Sequence, residues 1–442
     1  MKARIRKLIN RLSETFWLVP GAMALLGILL ALALLSVDRR GHLPAWLTES
    51  NWLYNGGGTG ARTLLGAIAS STIGVAGTVF SITIAALTLA AGQMGPRLMQ
   101  NFTRDRGVQV ALGAFLGTFS YALMVLRSVR TQNEGVFTPQ LALSFGILLA
   151  FGCVAMLVYF VGHMANRINV DTVIELVSND IRRAMTATVT DKAQTEPPPT
   201  AFWSNATIII DTRRGYLQQL DEASLANWAA KHETTIRLLV RRGDYVFPGA
   251  PIALMSIAVS GADDAVRNAT ALEVKRGSAE DVEYAVRQLV EVAVRALSPG
   301  INDPHTAMSV LNRLGAALCD LAGKQLPNGV LTRKDTIALV VPCVTYRSLA
   351  DVMFHMIRQN AAGSTALLIR LLDVLTNVIA SENDEKRREV LMHHANLVWA
   401  DAQRNIGNKS DLADVCSRYA TLQRTLAHGA LGALGAIGAI GK

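Results

Sequence analysis

The chain has only four cysteines in 442 residues, Cys153, Cys319, Cys343 and Cys416, and no two stand at a metal-ligand or redox-pair spacing. A disulfide scaffold and a cysteine zinc knuckle are thereby excluded, and three of the four read as small core residues of a reducing compartment. The signatures of common chemistries are missing too. There is no P-loop, no Gly-x-Ser-x-Gly, no His-Glu-x-x-His and no Cys-x-x-Cys. His393 and His394 are adjacent, and neighbours on a helix point about 100° apart, so they make poor joint ligands. An enzyme is the least supported class, and no cofactor and no metal are expected. The net charge of +9 is spread along the chain without an RNA- or DNA-binding motif, so no nucleic-acid partner is expected either. After Gly162 no stretch is long and apolar enough to span a bilayer.

What is present comes before Gly162. Phe16 to Val37 is a run of 22 residues that carries no charge. Thr63 to Ala91, Val108 to Leu126 and Pro139 to Gly162 repeat the pattern. A helix needs about 20 apolar residues to cross a hydrocarbon core of about 30 Å, so four spans are expected. The first run is too long for a signal-peptide core and reads as an uncleaved anchor. Half the residues are hydrophobic and the mean hydropathy is +0.28, which fits a membrane part joined to a water-exposed part.

Basic residues give the expected orientation. Lys2, Arg4, Arg6, Lys7 and Arg11 precede the first span, Arg97, Arg104 and Arg106 follow the second, and Arg167, Arg182 and Arg183 follow the fourth. The opposite connections hold Arg39, Arg40, Arg62, Arg127 and Arg130. The bias places both termini in the cytoplasm. Trp17, Trp46, Trp52 and Tyr54 fit an interfacial belt.

The second span is rich in hydroxyl and small residues. Helical spacing puts Ser70, Gly74, Gly77, Ser81 and Thr88 on one stripe, with Gln93 and Arg97 at its cytoplasmic end. The stripe serves either close helix packing or a polar path for a small ion, with Arg97 favouring anions. Gly113 and Gly117 mark the third span as packed against protein.

The expected organisation is a four-span transmembrane domain over 1–165, then an amphipathic helix and Glu196-Pro-Pro-Pro-Thr200 linker over 166–200. A small β module over 201–262 and a helical cytoplasmic domain over 263–427 follow, with a Gly/Ala-rich tail over 428–442. The β module is similar to the barrel-sandwich hybrid of lipoyl and biotinyl domains through Gly243-Asp244-Tyr245-Val246-Phe247-Pro248-Gly249-Ala250-Pro251. No lysine stands on a hairpin tip, so a covalent cofactor is not expected. In the helical part, Val282, Val286, Leu289, Val290, Ala293, Val294 and Leu297 follow helical periodicity, and Glu283–Arg287 and Glu291–Arg295 are spaced as i,i+4 ion pairs.

One corner stands out, Ser298-Pro-Gly-Ile-Asn-Asp-Pro-His-Thr-Ala307. Asp303 is expected as an N-cap with Pro304 at the first helical position. Arg295, Asn302, Asp303, His305 and Thr306 gather there and either only finish the helix or hold a small ligand.

The strings RQLVEVAVRALSPGINDPHTA and GTVFSITIAALTLAAGQMGPRLMQNFTRD resemble the bacterial predicted membrane-protein family known as domain of unknown function 2254. The resemblance implies a bacterial inner-membrane topology and brings no activity. Two functions remain open. One is a homo-oligomeric ion channel or permeation protein, gated by its cytoplasmic domain. The other is a membrane-anchored scaffold or sensor with a binding domain and no transport. The absence of ionisable residues inside the spans, as bounded above, argues against a proton-coupled pump.

Overall fold

The computed structural model describes residues 16–40, 57–95, 105–130, 137–190, 194–274, 276 and 281–428. They fall into two compact units that divide between Thr172 and Val173.

Among the described residues the first unit holds four helices, α1 (Leu18–Arg40), α2 (Gly58–Met94), α3 (Arg106–Ser128) and α4 (Gln140–Ile168). All four are long and apolar enough to cross a membrane. At 1.5 Å per residue α1 and α3 are each about 35 Å long, which matches a bilayer core with its ends in the headgroups. Helix α3 touches the other three and is the most buried. Its glycines allow this. A side chain at Gly113 would collide with Met23, and one at Gly117 would meet the Met23 carbonyl oxygen at 2.9 Å. The packing role expected of the third span is therefore present, against α1.

The helices run past the expected spans, and their ends carry polar fastenings. The Asp38 carboxylate accepts from the backbone N–H groups of Leu141 and Ala142 at 3.1 and 3.0 Å, capping α4 from the end of α1. The Tyr121 hydroxyl donates to the Ala142 carbonyl at 2.6 Å.

The second unit begins in α5 (Val170–Thr188), whose buried face includes Val173, Ile174, Val177 and Ile181. Next come β1 (Thr207–Asp211), β2 (Gly215–Leu220), α6 (Glu222–Lys231), β3 (Ile236–Leu238), β4 (Tyr245–Val246), β5 (Ala250–Met255), α7 (Ala262–Ala269) and β6 (Thr270–Glu273). Helices α8 (Val282–Ala296) and α9 (Pro304–Cys319) precede the hairpin β7 (Val330–Arg333) and β8 (Thr336–Val340). The chain closes with α10 (Tyr346–Ala361), α11 (Thr365–Ser381), α12 (Glu385–Asn405) and α13 (Lys409–His428).

Two open sheets form, ordered β1-β5-β3-β8-β7 and β4-β2-β6, and no closed barrel is present among the described residues. The expectation of a barrel-like module is corrected at this point. The Gly243 and Gly249 turns exist, with φ of +91° and +83°. They lead the chain from β3 in the larger sheet to β4 in the smaller one and back to β5. The larger sheet is completed by β8, parallel to β3, from a stretch expected to be helical. That hairpin turns at Lys334 and Asp335, both in the left-handed region at φ +51° and +63°, the geometry that suits a tight two-residue loop.

Candidate functional site

Helix α2 presents the sequence stripe on its outside. Ser70, Gly74, Gly77, Ser81 and Thr88 are all exposed in the chain. At 100° per residue they fall within an arc of about 60°. The residues buried against the rest of the unit, among them Leu65, Thr72, Ala76, Val79, Thr83 and Ala86, lie on the opposite side. The Ser70 and Thr88 hydroxyls donate to the carbonyls of Gly66 and Ile84, both at 2.9 Å, so each is satisfied within its own helix. Nothing lies within 4 Å of a side chain added at Gly74 or Gly77. Gln93 stands in the last turn of α2, and Arg97 lies outside the described residues.

The Ser298–Ala307 corner is a capped helix start. Asp303 accepts from the Thr306 N–H at 3.1 Å and from its hydroxyl at 2.6 Å, and Pro304 opens α9. The Thr306 hydroxyl is the main cause that holds the Asp303 carboxyl below the usual carboxylate range, against a smaller effect of burial. Asn302 is left-handed at φ +49°, and its N–H reaches the Ser298 carbonyl at 2.9 Å. His305 is exposed, and Arg295 lies 3.5 Å from Glu291 on its own helix. The structure thus brings Asp303 and Thr306 into contact and joins Arg295 to α8.

The expected Glu283–Arg287 pair is present at 3.6 Å, but Glu283 is no surface residue. Its side chain is 2% exposed and lies 2.7 Å from Arg241 and 4.0 Å from Arg276. Spacing alone found one of its three arginines.

Two constellations escaped the sequence reading. Asp105, the N-cap of α3, lies with both carboxylate oxygens 2.9 Å from His163 Nε2 on α4. The expectation of spans free of ionisable groups is corrected here, because α4 continues past Gly162 and carries His163 inside its apolar stretch.

The other constellation joins α10 to α12. His394 is fully buried, with its ring edge-on to Phe354 at 5.5 Å and 4.9 Å from the ring of His355. Its Nε2 lies 3.1 Å from Asp351 Oδ1, and His355 Nε2 lies 3.2 Å from the same oxygen. The His394 contact is close but poorly aligned, so neither ring nitrogen has a hydrogen bond. Burial, then the neighbouring His355, push the His394 pKa well below its ordinary value, and Asp351 opposes them only in part. His393 points elsewhere and is exposed, as expected for adjacent residues on a helix. A sequence signal existed in the i,i+4 spacing of Asp351 and His355, which places both on one face of α10.

The sequence pattern of the family described as Predicted membrane protein (DUF2254) matches residues 13–377. Uncharacterized protein MT1328 and uncharacterized protein Rv1290c, both of Mycobacterium tuberculosis, are each 30% identical to this chain over 432 residues, covering 94% of it and 81% of their own length. Uncharacterized protein Mb1321c of Mycobacterium bovis matches to the same extent. No solved structure matches the chain. A chain with four membrane-length helices, whose residues 13–377 follow this pattern and whose mycobacterial relatives align along almost all of it, belongs to the DUF2254 family of predicted membrane proteins.

Proposed function

We propose that this protein is a homo-oligomeric permeation protein of the bacterial inner membrane, in which α2 of each copy lines a path for a small ion. The observation that carries the reading is the position of the Ser70–Thr88 stripe. It lies on the side of α2 opposite its contacts with the other helices of the unit. A face turned to lipid gains nothing from glycine and hydroxyl side chains, whereas a face turned to other copies or to water does. Several copies are needed, since the stripe lies on the outside of the described helices of one chain. The second unit stands on the cytoplasmic side and gates the path. The purified protein reconstituted in liposomes is expected to pass ions, anions ahead of cations. Well-folded oligomers that pass no small ion would end this reading.

A membrane-anchored sensor without transport is the second reading. It is favoured by the buried, hydrogen-bond-free His394 beside Asp351 and His355 in the second unit, an arrangement suited to ligand binding. Ligand binding there without flux in the same preparation would select it.

A further inference from the structure

We propose that Asp351, His355 and His394 form a binding site for a divalent transition metal of the zinc class, clamping α10 to α12. The inference does not depend on whether the membrane helices conduct.

The donor atoms of the three residues all lie within 4.8 Å of one another. Metal–nitrogen and metal–oxygen bonds of zinc are about 2.0–2.2 Å, so adjacent donors of a tetrahedral site stand about 3.4 Å apart. The two separations from Asp351 Oδ1 to the histidine Nε2 atoms, 3.1 and 3.2 Å, are already near that edge length. One carboxylate oxygen with an imidazole nitrogen on either side is a preassembled edge pair. The histidine rings, 4.9 Å apart, complete the third edge by a small rotation of His355.

The burial of His394 makes the case. A fully buried imidazole would ordinarily be fixed by hydrogen bonds, since a buried polar atom without a partner is costly. Here both ring nitrogens lack one, and Nε2 stands 3.1 Å from Asp351 Oδ1. A metal ion between the three groups would satisfy Nε2. Entry is open, because the Asp351 and His355 side chains are 36% and 35% exposed. Two imidazoles and one carboxylate suit Zn2+ and its first-row neighbours, whereas Mg2+ and Ca2+ prefer oxygen donors alone. Three protein ligands leave a further position for water or an exogenous group.

The test uses the full-length protein in detergent, stripped with a chelator and titrated with Zn2+. One Zn2+ per chain is expected, with a rise in melting temperature that Mg2+ does not reproduce. Co2+ in its place should give the visible absorption of a low-coordinate nitrogen and oxygen site. His355→Ala should fold, since that side chain is partly exposed, and should weaken Zn2+ binding by more than about tenfold, because even the loss of a supporting hydrogen bond costs that much. Asp351→Asn and His394→Gln should weaken it likewise, and each is judged only if its circular dichroism is native. A wild-type protein that takes up no Zn2+ would overturn the proposal. Stoichiometric binding that persists in folded His355→Ala with unchanged affinity and Co2+ spectrum would overturn it as well.

Discussion

The backbone of Gly27 on α1 lies directly against the carbonyl of Gly117 on α3, so closely that a side chain at position 27 would collide with that oxygen. With Gly113 and Gly117 seated on Met23, this crossing holds the first helix to the most buried one. Backbone atoms cannot move aside as a flexible side chain can. Gly27→Leu is therefore expected to destabilise the four-helix unit by at least about 1–3 kcal/mol, the usual cost of overpacking. Gly74→Leu, with nothing within 4 Å of the added group, should leave the unit folded within each chain. Thermal unfolding of the two variants in detergent checks the contrast.

Asp303 contributes a cap whose strength follows from its charge. The Thr306 hydroxyl and N–H both donate to its carboxylate and keep its folded pKa below the ordinary value. For a carboxyl depressed in this way, the contribution to stability is present above the unfolded pKa and is lost as pH falls through the folded one. It is thus complete at pH 7 and declines only below about pH 4. Asp303→Ala should cost about 0.5–2 kcal/mol at pH 7, and Asp303→Ser should recover most of it. The difference between wild type and Asp303→Ala should shrink in melts at the acid end. A stable Asp303→Ser protein that loses function would show that the corner does more than cap α9.

Glu283 is a stronger lever. It is buried at the start of α8 beside Arg241, Arg276 and Arg287. Its removal would leave the enclosed Arg241, whose side chain is 24% exposed, without its nearest carboxylate. Breaking a buried pair from one side typically costs about 3–5 kcal/mol. In denaturant unfolding, Glu283→Ala is expected to destabilise the second unit by no more than that order, since Arg241 keeps Asp244 at 3.7 Å. Glu291→Ala, whose partner Arg295 is half-exposed, should cost far less.

The parts of this fold that rest on local rules were legible in the sequence. Apolar length gave the four membrane helices, periodicity gave α8, and the Asp303-Pro304 pair gave the start of α9. The helix ends were less legible, because α2 and α4 continue through residues whose composition no longer requires a membrane. The β7–β8 hairpin was missed because its turn is Lys334-Asp335 without glycine, and its strands are only four and five residues long. The exposed stripe on α2 could be read as a face, but which way it turned depended on where α3 and α4 pack. The Asp351, His355 and His394 cluster was half visible as an i,i+4 pair. The third member comes from α12, and only the packing of that helix on α10 brings it in.

The Lys and Arg distribution predicts that reporter fusions placed after Val37 and after Arg130 are extracytoplasmic, and that one after Arg183 is cytoplasmic. Three membrane-length helices lie between the first and the last of these fusion points, and an odd number of crossings is what opposite sides require. Cytoplasmic signal at position 130 would contradict the arrangement and would put the second unit on the wrong side to gate from within.

The stripe on α2 separates folding from permeation more sharply than any other feature. Thr72 and Thr83 are buried on the face that meets the unit's own helices, and their hydroxyls donate to Ile68 and Val79 carbonyls at 2.7 and 2.8 Å. Ser81 lies on the opposite, exposed face. If copies meet along that face, Gly77→Cys on a Cys416→Ser background should cross-link into oligomers under mild oxidation, with the exposed native thiol removed. Ser81→Leu should leave each chain folded, because it points away from the chain's own core, yet should reduce flux in liposomes. Leu87→Ile, a volume-conserving change, should do neither. Thr83→Leu should instead lower the melting temperature, since it adds bulk to a packed interface. Unchanged flux in Ser81→Leu, together with no cross-link at position 77, would show that this face of α2 meets lipid rather than other copies.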